Sequence, residues 1–420
     1  MNSGILRKLK KDKRIVNTIL LYILVLACSA LLIFPNYRNA IIFIIIYLLL
    51  GTLTFRVSPR WASALTVFYA MNVINIVIGT FIYLIVGAEM YINLAFVVNV
   101  SYLCMLVGYS LGINIPKIKR KTVKVRTPKI ISWRIGLLLI YAVSIFASFV
   151  YWMKNASVLL SGINENRTAA SGGNGIWILL INLNIIAVPY LYNEYKQGKI
   201  KHFYLMFSVA AVALLVTGFR SPLFSMIFIL LINNIYNGEI RVIKALQILL
   251  ILIIIGFLWG GLRGGDVSSI GTTLAAAFTS GAWNLDHVFR FFDSSNFQYG
   301  KTYFMNIEML LPGQQMDFTL WLKEMLGLSF AGGGVTPSIM GEFYMNFGYF
   351  GMYLGMLAFG FIFSFIDKWI CKDPMTPWKA YVLFLAASSC SGGIANVYLY
   401  PSLMAIWFFI LNLITKKQQA

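Results

Sequence analysis

Apolar runs of about twenty residues, broken by short polar stretches, recur along most of the 420-residue chain. Each is long enough to cross a hydrocarbon core of about 30 Å as a helix. A membrane β-barrel would show short alternating segments instead. The pattern predicts an all-α polytopic membrane protein, with residues 1–420 forming one integral membrane domain. Twelve spans are expected, at 15–34, 40–55, 62–87, 92–112, 135–153, 175–192, 203–219, 222–236, 245–262, 341–365, 380–394 and 399–415. The connections are short except for 263–340, a large loop between the ninth and tenth spans.

One stretch resists a simple reading. Residues 203–236 are apolar apart from LVTGFRSPLFSM, which carries Arg220. As a single helix they would measure about 51 Å, far more than the bilayer core. Two short spans hinged at Phe219-Arg220-Ser221-Pro222 fit better. Gly218 is placed to end the first helix, and Ser221-Pro222 is a suitable start for the second.

Charge sets the orientation. The N-terminal tail and the segment NIPKIKRKTVKVRTPKIISWR are strongly basic. With both in the cytoplasm, 26 of the 34 lysines and arginines lie inside. Outside remain Arg38, Lys154, Arg167, Arg220, Arg263, Arg290, Lys301 and Lys323. Both termini are then cytoplasmic, 263–340 is external, and Arg220 faces outward in its hairpin. The net charge of +20 thus reads as a topological signal and an attraction to anionic lipid, not as a nucleic-acid surface.

Composition agrees: 59% of residues are hydrophobic, 11% are charged, and mean hydropathy is +0.78. The basic N-terminus followed by an apolar run reads as an uncleaved first span. The four cysteines form no CxxC pair, and the only histidines are His202 and His287. Neither a disulfide frame nor a metal site is indicated, and no cofactor is expected.

The candidate chemistry clusters on the external side. Arg263 sits in GGLRGGD, with Asp266 three residues on. Asp286, His287 and Arg290 follow; on a helix Asp286 and Arg290 would share a face as an i,i+4 pair. A surface salt bridge explains that pair as well as a site does. Residues 316–330 could lie on the membrane as an amphipathic helix or cap the spans. Glu342 opens the tenth span, and Gly351-xxx-Gly355 is a close-packing pattern. Guanidinium groups suit phosphate. For Arg220, a site beside a helix N-terminus stands against simple snorkelling to the headgroups. No Walker motif, nucleophile elbow or HExxH motif is present.

The hairpin TGFRSPLF, the exit GGLRGGD and the re-entry GGGVTPSIMGEFYMNFGYFG resemble the Wzy-type O-antigen and oligosaccharide repeat-unit polymerases. That resemblance implies a glycosyltransferase in the bacterial plasma (inner) membrane. It would pass a growing glycan from undecaprenyl pyrophosphate to another lipid-linked repeat unit. Its implied partners are undecaprenyl-pyrophosphate-linked oligosaccharides, the lipid bilayer, a chain-length regulator and a flippase. Combined with the residue reading, Arg220 and Arg263 would bind the departing pyrophosphate, assisted by Arg290. Glu342, ranked first, Asp266 or His287 would take the acceptor proton. Three other readings remain: a glycan ligase of the same plan, a lipid-linked oligosaccharide flippase or transporter, and a membrane acyltransferase. Transporters often show repeated halves, and none is evident between 1–210 and 211–420.

Overall fold

A computed structural model describes residues 18–33, 39–60, 63–87, 94–115, 131–160, 174–215, 217–219, 221–241, 243–244, 247–248, 251, 254, 270–308, 317–329, 334–371 and 375–416. Among these residues the elements are helices, joined by turns, apart from a two-residue pairing of β1 (Ile131–Ser132) with β2 (Thr415–Lys416). The helices are α1 (Thr18–Ala30), α2 (Asn39–Val57), α3 (Ala64–Val86), α4 (Leu94–Asn114), α5 (Trp133–Leu160), α6 (Gly175–Lys196), α7 (Phe203–Leu215) and α8 (Ser221–Tyr236). After these come α9 (Ile270–Phe291), α10 (Thr302–Glu308), α11 (Phe318–Met325), α12 (Ser338–Ile370) and α13 (Pro377–Ile414). Among the described residues, α2 to α6 and α12 are long and apolar enough to cross a membrane; α1, α7 and α8 are shorter apolar helices. The expected ninth span falls mostly outside the described residues.

The stretch 203–236 is indeed two helices. Gly218, at φ +77°, follows α7, and its amide bonds the Leu215 carbonyl at 2.9 Å. The next helix, α8, starts at Ser221. Arg220 itself lies outside the described residues.

Two long helices are broken. In α13, Gly393 has φ +72° and ψ −175°. A straight helix of its 38 residues would span about 57 Å. Its two ends nevertheless lie together. The Trp378 backbone meets Tyr190, whose ring is 5.6 Å from that of Trp133, beside the β1–β2 pairing that holds Thr415 and Lys416. The helix therefore doubles back at Gly393, just inside the expected span 380–394 and ahead of the turn expected at 395–398. In α12 the break is at Phe347-Gly348, with Gly348 at φ +65° and ψ −160°. A Cβ built on Gly355 would lie 2.6 Å from the Phe343 ring, although twelve residues of straight helix separate such positions by about 18 Å. The short arm 338–346 is thus folded back on the long arm 349–370.

This corrects two expectations about the re-entry. The tenth span starts at residue 349, not 341, because 338–346 is a separate arm. Gly351 and Gly355 pack against Phe347 and Phe343 of their own helix, not against a neighbour. The close helix pair is instead α4 with α12. A Cβ on Gly108 would overlap the Leu357 carbonyl, one on Gly360 the Met105 carbonyl, and one on Gly112 the Ser364 hydroxyl. Backbones can approach this closely only where side chains are absent.

The loop 263–340 is largely helical where it is described. α9 lies along α3, with Gly281 against the Asn75 carbonyl and Gly79 against Thr279. α11 caps the bundle and does not lie free: Phe318 and Leu322 are fully buried.

One end of the bundle gathers helix ends closed by charged side chains. Asp367 accepts from the Ala64 amide at 2.6 Å and the Tyr109 hydroxyl at 2.8 Å. Lys368 donates to the carbonyls of Gly112 and Ile115, both at 2.7 Å. Lys379 donates to the Ile370 carbonyl at 3.3 Å. Such side chains take up the donors and acceptors that helix ends leave free.

The α4–α12 contact yields the first prediction. Gly360→Val should force the helices apart and destabilise the protein by about 1–3 kcal/mol. The check is a lowered thermal midpoint in detergent relative to the parent protein; an unchanged midpoint would contradict the packing described.

Candidate functional site

The two helix breaks meet at Glu342. Breaking α13 at Gly393 frees the first amides of its second arm, those of Ile394 and Ala395. Both point at the Glu342 carboxylate. The Ile394 amide bonds Oε2, and the Ala395 amide reaches Oε1 at 3.1 Å and Oε2 at 3.2 Å. The Thr302 hydroxyl of α10 donates to Oε1 at 3.3 Å. A helix N-terminus carries partial positive charge, so an anion here satisfies both the free donors and the dipole. Gly393 is required on two counts. Its φ is positive, and a Cβ there would collide with Oε2.

The freed carbonyls at the end of the short arm of α12 are answered as well. The amides of Gln298 and Tyr299 donate to the carbonyls of Met345 and Asn346 at 2.9 and 3.1 Å. Asn346 ties the pieces together: Nδ2 donates to Thr302 Oγ1 at 2.7 Å, and Oδ1 accepts from the Gly300 amide at 2.7 Å. From α10, Asn306 donates to the Ala395 carbonyl at 3.0 Å and accepts from the Phe318 amide at 3.1 Å. Glu342, Asn346, Thr302 and Asn306 are all buried. They form one polar knot joining α10, α11, α12 and α13.

Glu342 is fully buried, with both oxygens occupied. In this arrangement the carboxylate holds the break, with its oxygens turned to the Ile394 and Ala395 amides and to Thr302.

The second cluster lies on α9. Arg290 and Asp286 form the expected i,i+4 ion pair, Nε to Oδ2 at 2.7 Å, with Asp286 buried and Arg290 half-exposed. The His287 ring packs 3.9 Å from that of Trp283, and its Nδ1 lies 2.9 Å from the Trp283 carbonyl. In the exposed turn beyond α9, the Ser295 hydroxyl and amide hold the Asp293 carboxyl below the usual carboxylate range. The other face of α9 meets the short arm of α12. Leu285 and Val288 surround Gly341, Phe289 packs on Tyr344, and the Tyr344 hydroxyl bonds the Phe292 carbonyl at 3.1 Å. The two clusters are therefore neighbours through an apolar layer. No hydrogen bond or ion pair among the described residues joins Glu342 to Asp286, His287 or Arg290. Arg220, Arg263 and Asp266 lie outside the described residues. Among the described residues no group of three or more His, Cys, Asp or Glu is placed to hold a metal.

Reasoning from sequence missed Thr302, Asn306, Asn346 and Gly393. The available signal was SSCSGG at 388–393, a glycine pair interrupting an apolar run. Such interruptions mark discontinuous membrane helices, whose half-helix ends line sites.

Two predictions follow from the knot. Glu342→Ala leaves two buried amides without partners, at about 1–3 kcal/mol each. It should lower thermal stability in detergent along with any activity. Gly393→Ala should do the same through backbone strain and collision, at about 1–3 kcal/mol. If Glu342→Ala abolished activity with an unchanged thermal midpoint, a chemical role for this carboxylate would be restored.

A family model described as "Putative O-antigen polymerase" matches residues 36–391. No curated protein and no solved structure matches the chain.

Proposed function

The chain belongs to the O-antigen polymerase family, and we propose that it joins undecaprenyl-pyrophosphate-linked oligosaccharide repeat units into a surface polysaccharide at the external face of the bacterial plasma membrane. The family match over residues 36–391 carries this reading. The geometry supports it. The helix ends at Ala64, Asn114 and Ile370, next to which the sequence carries its basic segments, collect around Asp367 and Lys368, which suits the cytoplasm. The Glu342 knot and the α9 cluster belong to the segments that the charge bias assigns to the outside.

The reaction breaks the bond between the anomeric carbon of the donor glycan and its pyrophosphate. It forms a glycosidic bond to an acceptor hydroxyl, whose proton must leave. Negative charge grows on the pyrophosphate as it departs. Arg220, at the α7–α8 turn, and Arg263, ahead of α9, are the groups assigned to that charge, with Arg290 assisting. Arg290 is already paired with Asp286, which fixes its guanidinium in place. Asp266 and His287 are assigned to proton acceptance. The part left for Glu342 is positioning: it locks the arms of α12 and α13 that frame the site.

Purified protein in lipid vesicles, given matched lipid-linked repeat units, should produce a ladder of longer lipid-linked glycans. Arg220→Ala and Arg263→Ala should each lower elongation by roughly 10²–10³-fold while membrane insertion stays intact. Movement of substrate across the vesicle wall without elongation would favour a transporter, and transfer to a different acceptor would favour a ligase. Normal elongation by both arginine variants would overturn the pyrophosphate assignment.

A further inference from the structure

The outer surface of α12 carries a stripe of exposed apolar side chains: Phe350, Leu354, Ile362, Phe365 and Trp369. On a helix of this length and hydropathy, such a stripe faces lipid. It does not stop where the span begins. Phe347, also exposed, heads it at the break. The Tyr299 ring then stands 6.5 Å from Phe347 in an edge-on arrangement. One turn further along the chain, Phe304 and Ile307 project from α10.

These are large exposures for aromatic rings: 74% for Phe350, 71% for Tyr299 and 65% for Phe304. Tyr299 is also one of two non-glycine residues with positive φ among those described. The backbone is thus held in a costly conformation that turns a ring outward. The opposite face of the same short segment is anything but free. Thr302 and Asn306 are buried in the Glu342 knot, and the amides of residues 298–300 are committed to Met345 and Asn346. One face is locked to protein and the other is aromatic, and the exposed Lys301 lies between Tyr299 and Phe304 in sequence.

We propose that residues 299–307 are seated in the outer boundary of the bilayer. Tyr299, Phe304 and Ile307 enter the lipid beside Phe347 and Phe350, and the Lys301 ammonium reaches the headgroup phosphates. Aromatic rings with a nearby cation are the composition of such boundaries. Continuity with the lipid-facing stripe of α12 argues for lipid as the occupant. The sequence places its interfacial candidate at 316–330, but α11 buries Phe318 and Leu322 against protein, so that face is already covered. The consequence is functional. The same segment supplies Thr302 to Glu342 and Asn306 to Ala395, so the knot sits at the membrane boundary, at the depth of a lipid-linked pyrophosphate. This last step rests on the polymerase reading; the seating does not.

The test is photocrosslinking of the full chain in nanodiscs of phosphatidylethanolamine and phosphatidylglycerol. Benzoylphenylalanine is placed singly at Tyr299, Phe304 and, as the lipid-facing reference, Phe350. Mass spectrometry of intact protein should show phospholipid adducts at all three, in comparable yield. Adducts at Phe350 without adducts at Tyr299 and Phe304 would overturn the proposal. Crosslinks from Tyr299 or Phe304 to a second copy of the chain would also overturn it, since that face would then be a protein interface. No substrate is needed, so this outcome is independent of whether the protein polymerises glycan.

Discussion

Two backbone amides donating to one buried carboxylate hold this structure in its shape. A helix broken within an apolar bundle exposes donors and acceptors that lipid cannot satisfy. The break at Gly393 is tolerable because Glu342 takes the amides of Ile394 and Ala395. Glu342 can do so only because α12 is itself broken at Phe347-Gly348, which swings the short arm back toward α13. That second break exposes carbonyls in turn, and the backbone of residues 298 and 299 covers them. Each irregularity is thus the condition for the next. Asn346 and Thr302 link both breaks, so they form one cooperative unit.

The same physics governs the opposite end with a different outcome. There Asp367 caps the start of α3, Lys368 caps the end of α4, and Lys379 caps the end of α12. These charges close whole helices. Glu342 holds open a place where helices stop short. Capped ends give rigid spans that pack backbone to backbone, as α4 and α12 do at Gly108 and Gly360. The break instead gives half-helix ends and a short arm, tied by buried polar side chains in an otherwise apolar bundle.

Much of this was legible in the sequence, for identifiable reasons. The α7–α8 turn was readable because 34 apolar residues are too long for one crossing and Gly218 and Pro222 punctuate them. The Asp286–Arg290 pair followed from i,i+4 spacing. The doubling back of α13 was anticipated as two spans. The break in α12 was not, because MNFGYFGMYLG reads as continuous apolar helix and several glycines compete for the same role. Only the fold shows that Gly348 turns the chain, while Gly351 and Gly355 make room for Phe347 and Phe343. The knot was hidden for a related reason. Thr302, the Glu342–Asn346 pair and Ala395 are far apart in sequence, so nothing in their spacing announces that they meet.

Glu342 shows why a carboxylate at a span start is ambiguous. Chemistry and capping ask for the same residue type in the same place, near a helix N-terminus. What separates them is the fate of the lone pairs. A proton acceptor needs one oxygen turned to a space that a substrate can enter. Both oxygens of Glu342 are turned to backbone amides and to Thr302, and the side chain is fully buried. Substituting this residue would therefore abolish activity whichever role it has, so loss of activity alone cannot assign it. Arg290 presents a different case: its side chain is half-exposed and ion-paired with Asp286. A group that must meet a departing phosphate needs that combination of fixed position and open access. Burial of the one and exposure of the other thus separate the two side chains, although α9 and the short arm of α12 that carries Glu342 pack directly on each other.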